Sequence, residues 1–174
     1  MFLSNYNKHG INDVSNIIKD ALLRYIGINE FTMNVLNLTQ MLEFSQKGDE
    51  RGHLVIVEGM KDIPFDIKRI FYIYGSDKDV VRGQHANKVS EFVLINVAGT
   101  SKVRVKDGKG NETVYSLNRP HTGIYLPKMV WKEMYDFSED SVLLCLASTH
   151  YDPDEYIRDY DEYLKIVSET GEET

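Results

Sequence analysis

From Val35 onward the sequence alternates short runs rich in Val, Ile, Phe and Tyr with clusters of turn-forming residues. Apolar runs of about four to eight residues, bounded by Gly, Pro, Asn and Asp, are typical of β-strands. The pattern predicts about nine or ten strands with no helix between them. We therefore predict an all-β domain built as a sandwich or a barrel.

The turn segments between these runs predict where neighbouring strands pair. Gly99-Thr100 joins two apolar runs closely enough to form a hairpin, and residues 107–110 and 118–123 predict two further hairpins. The strands that close the domain are predicted at residues 122–127, 130–137 and 141–148.

Helical periodicity is confined to the two ends of the chain. Apolar residues recur at helical spacing in residues 12–25, which predicts an amphipathic helix that docks on the barrel or on a second subunit. The same spacing at Tyr156, Tyr160 and Leu164 predicts a short C-terminal helix. The predicted organisation is an N-terminal helical extension (1–32), a β domain (33–168) and a disordered acidic tail (169–174).

Residues 81–99 combine several polar side chains with a continuous apolar run. Because strand side chains alternate between faces, His85 and Asn87 project together, and Glu91 stays in phase with Val93 and alternate residues after it if the strand is unbroken. A face that is polar at one end and apolar further along suits the interior of a small barrel with a ligand at its mouth. We expect the functional site in this stretch.

Composition narrows the choice of partners. The net charge of -7 argues against nucleic acid as a partner but allows a small anion in a local basic pocket. The single cysteine, Cys145, lies in an apolar run and is expected to be a buried thiol. The sequence shows no signal-peptide pattern and no apolar run of membrane-spanning length, so we expect a cytoplasmic protein without a membrane partner.

The strand pattern suggests a cupin barrel, a double-stranded β-helix or jelly roll, and cupins often bind a metal. The usual ligands are a His-x-His pair, a glutamate and a later histidine. Here the matching positions are His85, Asn87 and Glu91, and residues 123–132 offer no histidine. Two ligands are too few for a catalytic zinc or iron site, which generally uses three. We expect no metal and no other cofactor.

Four separated segments carry more specific information. They are residues 64–74, the Arg82-Gly-x-His-Ala motif, residues 130–138 (Val-Trp-x-Glu-Met-x-Asp-Phe-Ser) and residues 156–161. In this order they resemble the dTDP-sugar 3,4-ketoisomerases, and the resemblance covers about residues 35–167. It implies a homodimeric cupin that binds a dTDP-4-keto-6-deoxyhexose. Such an enzyme moves the carbonyl group from C4 to C3 without a metal, on the way to deoxyamino sugars of surface polysaccharides such as lipopolysaccharide.

One motif position departs from this family. The family's motif reads His-Ala-His, and the resemblance implies that its second histidine is the catalytic base; this sequence has Asn87 there. An amide does not accept a proton from carbon near neutral pH, whereas an imidazole does. The catalytic candidates are therefore His85 as the base, Asn87 at the altered position and Tyr135 as a proton donor.

Basic and aromatic side chains supply the candidate binding groups. Arg82, Lys88 and Lys132 are candidates to hold phosphate or enolate charge. Strict alternation places Arg82 and Lys88 out of phase with His85, so their role requires a β-bulge or a second subunit. Tyrosines are candidates to stack on a thymine ring. The substrate-binding candidates are Arg69, Tyr72, Tyr74, Arg82, Lys88, Glu91 and Lys132.

Three functions remain open from the sequence. The first is a 3,4-ketoisomerase of nucleotide-linked 4-keto-6-deoxy sugars, in which His85 or a residue from elsewhere replaces the missing histidine. The second is an epimerase on the same substrates, which needs one base and an acid on the opposite face. The third is a noncatalytic nucleotide-sugar-binding cupin that kept the pocket and lost the base.

Overall fold

Extended segments make up most of the chain that the computed structural model describes, which is residues 35–171. A short helix, α1 (Val35–Leu38), precedes the strands, and a 3₁₀ turn (Pro153–Glu155) and helix α2 (Tyr160–Gly171) lie near the end. The strands are β1 (Gln40–Glu43), β2 (Gln46–Asp49), β3 (Gly52–Val55), β4 (Arg69–Tyr74), β5 (Arg82–Asn87), β6 (Phe92–Ala98), β7 (Ser101–Lys106), β8 (Glu112–Leu117), β9 (Thr122–Leu126), β10 (Trp131–Tyr135), β11 (Val142–Ala147) and β12 (Tyr156–Ile157).

Two five-stranded antiparallel sheets enclose the main core. Their strand orders are β1-β9-β6-β11-β4 and β12-β5-β10-β7-β8, while β2 and β3 form a separate ribbon. Apolar side chains from both sheets pack together between them, including Leu94 and Cys145 from the first sheet and Val103 and Met134 from the second. This arrangement is a jelly-roll barrel of the cupin type, and it confirms the predicted all-β fold class.

The alternation of side chains along β7 and β10 defines the two faces of the second sheet. In β7, Val103 and Val105 are fully buried in the core, while the residues between them are half-buried on the outer face. In β10, Lys132 lies on the core side. Trp131 lies on the outer side, where it packs against Tyr160 of α2. These two neighbours therefore face opposite ways, as strand alternation requires.

The three predicted hairpins have different outcomes. β7 and β8 pair across the turn at residues 107–111, as predicted. The hairpins predicted at Gly99-Thr100 and at residues 118–123 are wrong, because each turn links strands of different sheets. Gly99 makes a packed corner instead: its φ is 62°, and a Cβ atom there would collide with the side chains of Ser138 and Asp140.

The predicted C-terminal helix is confirmed, with different bounds. Tyr156 lies in β12 rather than in the helix, and α2 continues to Gly171, into the segment predicted as a loose tail. Tyr163 fixes α2 to the barrel, because it is fully buried and its hydroxyl lies 3.1 Å from the carbonyl oxygens of Lys106 and Met129. The helix predicted at residues 12–25 lies outside the described residues. Neither helix of the described part is long and apolar enough to cross a membrane.

Candidate active site

A β-bulge in β5 shapes the centre of the site. The register pairs His85 with Lys132 of β10, and the ladder is irregular at this point because Gln84 is an extra residue. Gly83 and Gln84 both have positive φ, 86° and 53°, and a Cβ atom on Gly83 would lie 2.8 Å from the Lys132 carbonyl oxygen. The extra residue shifts Arg82 into phase with His85. The bulge that a role for Arg82 requires is therefore present.

His85 is a neutral imidazole whose Nδ1 contacts a backbone carbonyl group and whose pKa is also influenced by the Asn87 side chain. Its Nδ1 lies 3.0 Å from the carbonyl oxygen of Gly83, and its ring meets that of Tyr156 at a centroid distance of 5.0 Å. Because a carbonyl oxygen only accepts, Nδ1 carries the hydrogen and Nε2 keeps its lone pair. Burial, and then the positive charge of Lys132, lower the pKa of His85 to about 4. The imidazole is therefore uncharged near neutral pH.

Asn87 and Lys132 form a buried pair beside His85. Both side chains are almost entirely enclosed, and the Lys132 ammonium donates a hydrogen bond to the Asn87 Oδ1 atom. The Asn87 Nδ2 atom is buried without a hydrogen-bond partner among the described residues. Burial lowers the pKa of Lys132 to about 7, although Glu155 and Cys145 act in the opposite direction. Lys132 is thus close to losing its proton at neutral pH.

Arg69 brings a second cation to the same interior. Its guanidinium carbon lies 5.4 Å from the ring centre of Phe71, 6.0 Å from that of Phe92 and 5.5 Å from that of Tyr151. The Lys132 ammonium lies 4.7 Å from the same Phe92 ring. The Arg69 Nε and Nη2 atoms are buried with no hydrogen-bond partner in the described part of the chain. Two cations with unused donors favour an anionic ligand.

A buried carboxylate supports the end of β5. Glu155 accepts hydrogen bonds from the Ser90 backbone N–H, at 2.9 Å, and from the Ser90 hydroxyl. Its own carbonyl oxygen accepts from the Lys88 backbone N–H at 3.0 Å. These contacts hold the turn after Asn87, so Glu155 positions the site without forming an ion pair with Lys132.

The Glu91 side chain does not lie on the same strand face as His85. The predicted unbroken phase from Asn87 to Val93 is wrong, because β5 ends at Asn87 and the chain crosses to the other sheet before β6 begins. After this crossing Phe92, rather than Val93, faces the main core. Glu91 instead accepts a hydrogen bond from the Tyr125 hydroxyl at 3.0 Å.

The two remaining basic candidates lie at exposed positions. The Arg82 Nε atom donates to the Ser76 hydroxyl at 2.7 Å, and the Lys88 ammonium donates to the Asp154 carbonyl oxygen at 3.2 Å. Neither side chain contacts His85. Their predicted roles in substrate binding stay predictions.

The three tyrosine candidates lie on outer faces. Tyr72 and Tyr74 are 62% and 68% exposed, because alternation along β4 gives the core side to Arg69 and Phe71. Tyr135 is an odd number of residues from Lys132 in β10 and packs under the Arg104 guanidinium, whose carbon is 5.0 Å from its ring centre. The structure therefore does not bring these tyrosines together with His85 within one chain.

No group of three or more His, Cys, Asp and Glu side chains within residues 35–171 is arranged to hold a metal ion. The two positions that match cupin ligands, His85 and Asn87, lie beside the Lys132 cation. A neighbouring cation repels a metal ion. Metal independence stays a prediction.

A jelly-roll barrel with a histidine and two cations inside it defines a cupin with an interior site for a small anionic ligand. Comparison with known proteins makes this more specific. Residues 37–168 match the FdtA family (WxcM-like, C-terminal), and the chain belongs to this family.

The relatives of this chain include characterised sugar isomerases. It is 40% identical over 129 residues to the TDP-4-oxo-6-deoxy-α-D-glucose-3,4-oxoisomerase of Aneurinibacillus thermoaerophilus, covering 74% of this chain and 92% of that protein. A 3,4-ketoisomerase structure from Helicobacter canadensis is 46% identical, with a TM-score of 0.73 over 75% of this chain and 97% of the other. A histidine-to-asparagine mutant of the 3,4-ketoisomerase QdtA from Thermoanaerobacterium thermosaccharolyticum, in complex with TDP-4-keto-6-deoxyglucose, is 44% identical. Its TM-score is 0.73 over 75% and 94% of the chains.

Proposed function

We propose that this chain is a 3,4-ketoisomerase acting on a TDP-4-keto-6-deoxyhexose in deoxysugar biosynthesis. The observation that carries the proposal is the pair of His85 and Lys132, which lie opposite each other on neighbouring strands and point into the barrel. A neutral imidazole removes a proton, and a neighbouring cation stabilises the anion that forms. Relatives at 40% and 46% identity, named for this activity, support the same reaction.

The reaction needs a base at C3 and positive charge near O4. His85 removes the proton from C3, which is acidified by the neighbouring carbonyl group. The developing enediolate then carries negative charge beside the Lys132 ammonium, which lies 4.7 Å from the ring centre of Phe92. Fixed cations in such an enclosed site stabilise the transition state without reorganising. A proton returned to C4 completes the movement of the carbonyl group.

Arg69 and the aromatic rings around it are the proposed holders of the nucleotide. The two unpartnered guanidinium nitrogens suit an anionic oxygen of the diphosphate. Phe71 and Tyr151 are 37% and 63% exposed beside this guanidinium, so a thymine ring has apolar surface on which to stack. Arg82 and Lys88 are proposed as further contacts at the rim.

A homodimer is part of this proposal. The edge strand β4 exposes Ile70, Tyr72 and Tyr74 on its outer face, and the ribbon of β2 and β3 exposes Leu54. Exposed apolar edge strands favour pairing with a second copy of the chain. In such a dimer the two tyrosines reach a ligand only if it is bound by the partner subunit. A cytoplasmic location is also proposed, supported by a buried cysteine that is free.

The test is to incubate the purified protein with TDP-4-keto-6-deoxyglucose in heavy water and to follow C3 and C4 by NMR. We expect the carbonyl group to move to C3, and the fraction of deuterium at C4 reports how far the proton held by the base exchanges with solvent before it is delivered. Inversion at C3 without movement of the carbonyl group would show an epimerase. Binding of the nucleotide sugar with neither exchange nor movement would show a noncatalytic cupin.

A further inference from the structure

Carbonyl migration moves two protons, and the base described above accounts for only one of them. The C–H proton travels from C3 to C4, and the O–H proton travels from O3 to O4. We propose that Lys132 carries the O–H proton while His85 carries the C–H proton. This inference rests on the proposed ketoisomerase function and assigns a second catalytic residue to it.

The first observation is the placement of the two side chains. His85 and Lys132 are directly paired across β5 and β10, and directly paired residues have Cβ atoms about 4.5–5.5 Å apart. Positive charges on these two side chains repel each other, and the Lys132 charge lowers the pKa of His85. When His85 gains the C3 proton, a proton passed from Lys132 to O4 of the substrate leaves the pair with a single positive charge.

The second observation is the partner of Lys132. Within residues 35–171 its hydrogen-bond acceptor is the amide oxygen of Asn87, and it forms no ion pair with a carboxylate. A lysine amine has N–H groups in both its charged and its neutral form, so it keeps this hydrogen bond after losing a proton. Asn87 therefore positions the amine without fixing its charge, which a carboxylate at the same position would do.

The charged and titratable groups around Lys132 agree with this role. Arg69 of β4, His85 of β5, Cys145 of β11 and Glu155 are the titratable and charged groups nearest to it; burial disfavours its positive charge, and the Glu155 carboxylate favours it. Burial raises the pKa of Cys145 to about 12, so its thiol is uncharged near neutral pH. The pKa of Lys132, about 7, makes both of its protonation states accessible at that pH.

The proton transfers balance in two steps. In the first, His85 takes the proton from C3, the C–H electrons form the C3=C4 double bond, and O4 takes a proton from the Lys132 ammonium. In the second, the neutral Lys132 amine takes the O3 proton, the O3–H electrons form the new C3=O3 carbonyl group, and C4 takes the proton from His85. The enzyme ends as it began, and the pair carries one positive charge throughout.

The decisive variant is Lys132→Arg, measured with TDP-4-keto-6-deoxyglucose in heavy water. Arginine keeps the positive charge but does not give up a proton. We expect C3 exchange to persist, because His85 remains and the negative enediolate forms beside the arginine cation. Carbonyl migration should be slower by about 10²- to 10⁴-fold, because no neighbouring group then moves the O–H proton. Lys128→Arg, at an exposed position before β10, is the matched control and should leave both rates unchanged.

Each other outcome identifies what is wrong. If Lys132→Arg exchanges and isomerises like wild type, Lys132 supplies only charge and the inference fails. If exchange and migration fall together in a folded variant, Lys132 takes the C–H proton itself, which also overturns the assignment. If wild type moves no carbonyl group, the proposed function fails, and the inference fails with it.

Asn87→Asp gives a second test without a change in side-chain volume. A carboxylate beside the ammonium raises the pKa of Lys132, because an opposite charge favours the charged form. In wild type, kcat/KM should decline above about pH 7, where the ammonium that protonates O4 is lost. In Asn87→Asp this decline should move to higher pH. A decline at the same pH in both proteins would contradict the role of Lys132.

Discussion

Lys132 and Glu133 are neighbours in β10, both are buried, and their surroundings are opposite in kind. Glu133 faces outward and accepts from Arg104 at 3.0 Å, from Lys106 at 3.0 Å and from the Trp131 ring N–H at 3.2 Å. Burial raises the pKa of Glu133, but these three donors more than offset it and the pKa lies below its ordinary value. Lys132 faces inward to one neutral amide, and burial dominates its pKa.

The difference separates a structural cluster from a functional one. The outer charge is matched by opposite charge and by hydrogen bonds, so it holds the sheet together. The inner cations of Lys132 and Arg69 lie near an unpartnered amide and unpartnered guanidinium nitrogens, which costs stability in the free protein. Unmatched buried charge beside a histidine with a shifted pKa is typical of a site that completes its contacts with a ligand.

The largest effect on the inner face is expected from His85→Asn. Removal of the general base should lower the rate of isomerisation by about 10²- to 10⁴-fold, while the affinity for TDP should change little because the asparagine is smaller and uncharged. Initial rates by NMR and calorimetric binding measure the two quantities. His53→Asn, on the exposed part of β3, is the control. A wild-type rate of isomerisation in His85→Asn would show that another residue is the catalytic base.

Because Lys132 is buried, it should make the free energy of unfolding depend on pH. Its pKa is about 7 in the folded protein and about 10.4 in an unfolded chain. Between these values the unfolded chain binds more protons, so the free energy of unfolding rises with pH. From pH 7 to 9 this contribution is about 2 kcal/mol, and it should be missing in Lys132→Met. Urea unfolding at several pH values tests this. The prediction would be contradicted if the free energy of unfolding changed with pH in the same way in wild type and in Lys132→Met.

On the outer face, Glu133→Gln should weaken the fold without changing the chemistry. Loss of the negative charge leaves Arg104 and Lys106 without their anion, at a cost of about 1–2 kcal/mol in the free energy of unfolding. The turnover rate per folded molecule should match wild type. Glu139→Gln, at an exposed turn position, should cost less than half as much. A large loss of kcat in folded Glu133→Gln would show that the outer face of β10 also contributes to the reaction.

The sequence predicted the parts of this comparison that depend on local pattern. Strand alternation places Trp131 and Lys132 on opposite faces of β10, and the motif residue His85 lies opposite Lys132; a catalytic role of His85 stays a prediction. Arg69 and Lys132 were chosen as candidates and both lie in the interior. These placements follow from the two-residue period of β-strands and from an Arg-Gly-x-His-Ala motif that occurs within one strand.

The remaining errors arise where the chain changes sheet. Glu91 was misplaced because no local signal shows that the strand ends at Asn87, and the hairpin predicted at Gly99 failed for the same reason. Glu155 and Tyr151 come from a segment more than 60 residues after His85 in the sequence. Glu155, for example, contacts Ser90 at a sequence separation of 65. The cluster of tyrosines near the C-terminal end was the one available signal for them. Tyr135 was predicted as a proton donor, and the structure assigns it to the face of β10 opposite that of Lys132, so this role stays a prediction.

The smallest effect is expected from Tyr135→Phe, and it tests that face assignment directly. The Tyr135 ring lies under the Arg104 guanidinium on the same outer face as Glu133, and phenylalanine keeps a ring in this position. Within one chain its hydroxyl lies on the far side of β10 from His85, so the isomerisation rate should change by less than about twofold. Loss of a catalytic acid or base would lower the rate by about 10²-fold or more. The rate at saturating substrate is the measurement, with Tyr115→Phe as a control on β8, the strand next to β7, where the ring packs against the main core. A tenfold or greater loss confined to Tyr135→Phe would mean that the outer face of one subunit contributes an acid to chemistry, and the separation of the two faces of β10 would not hold.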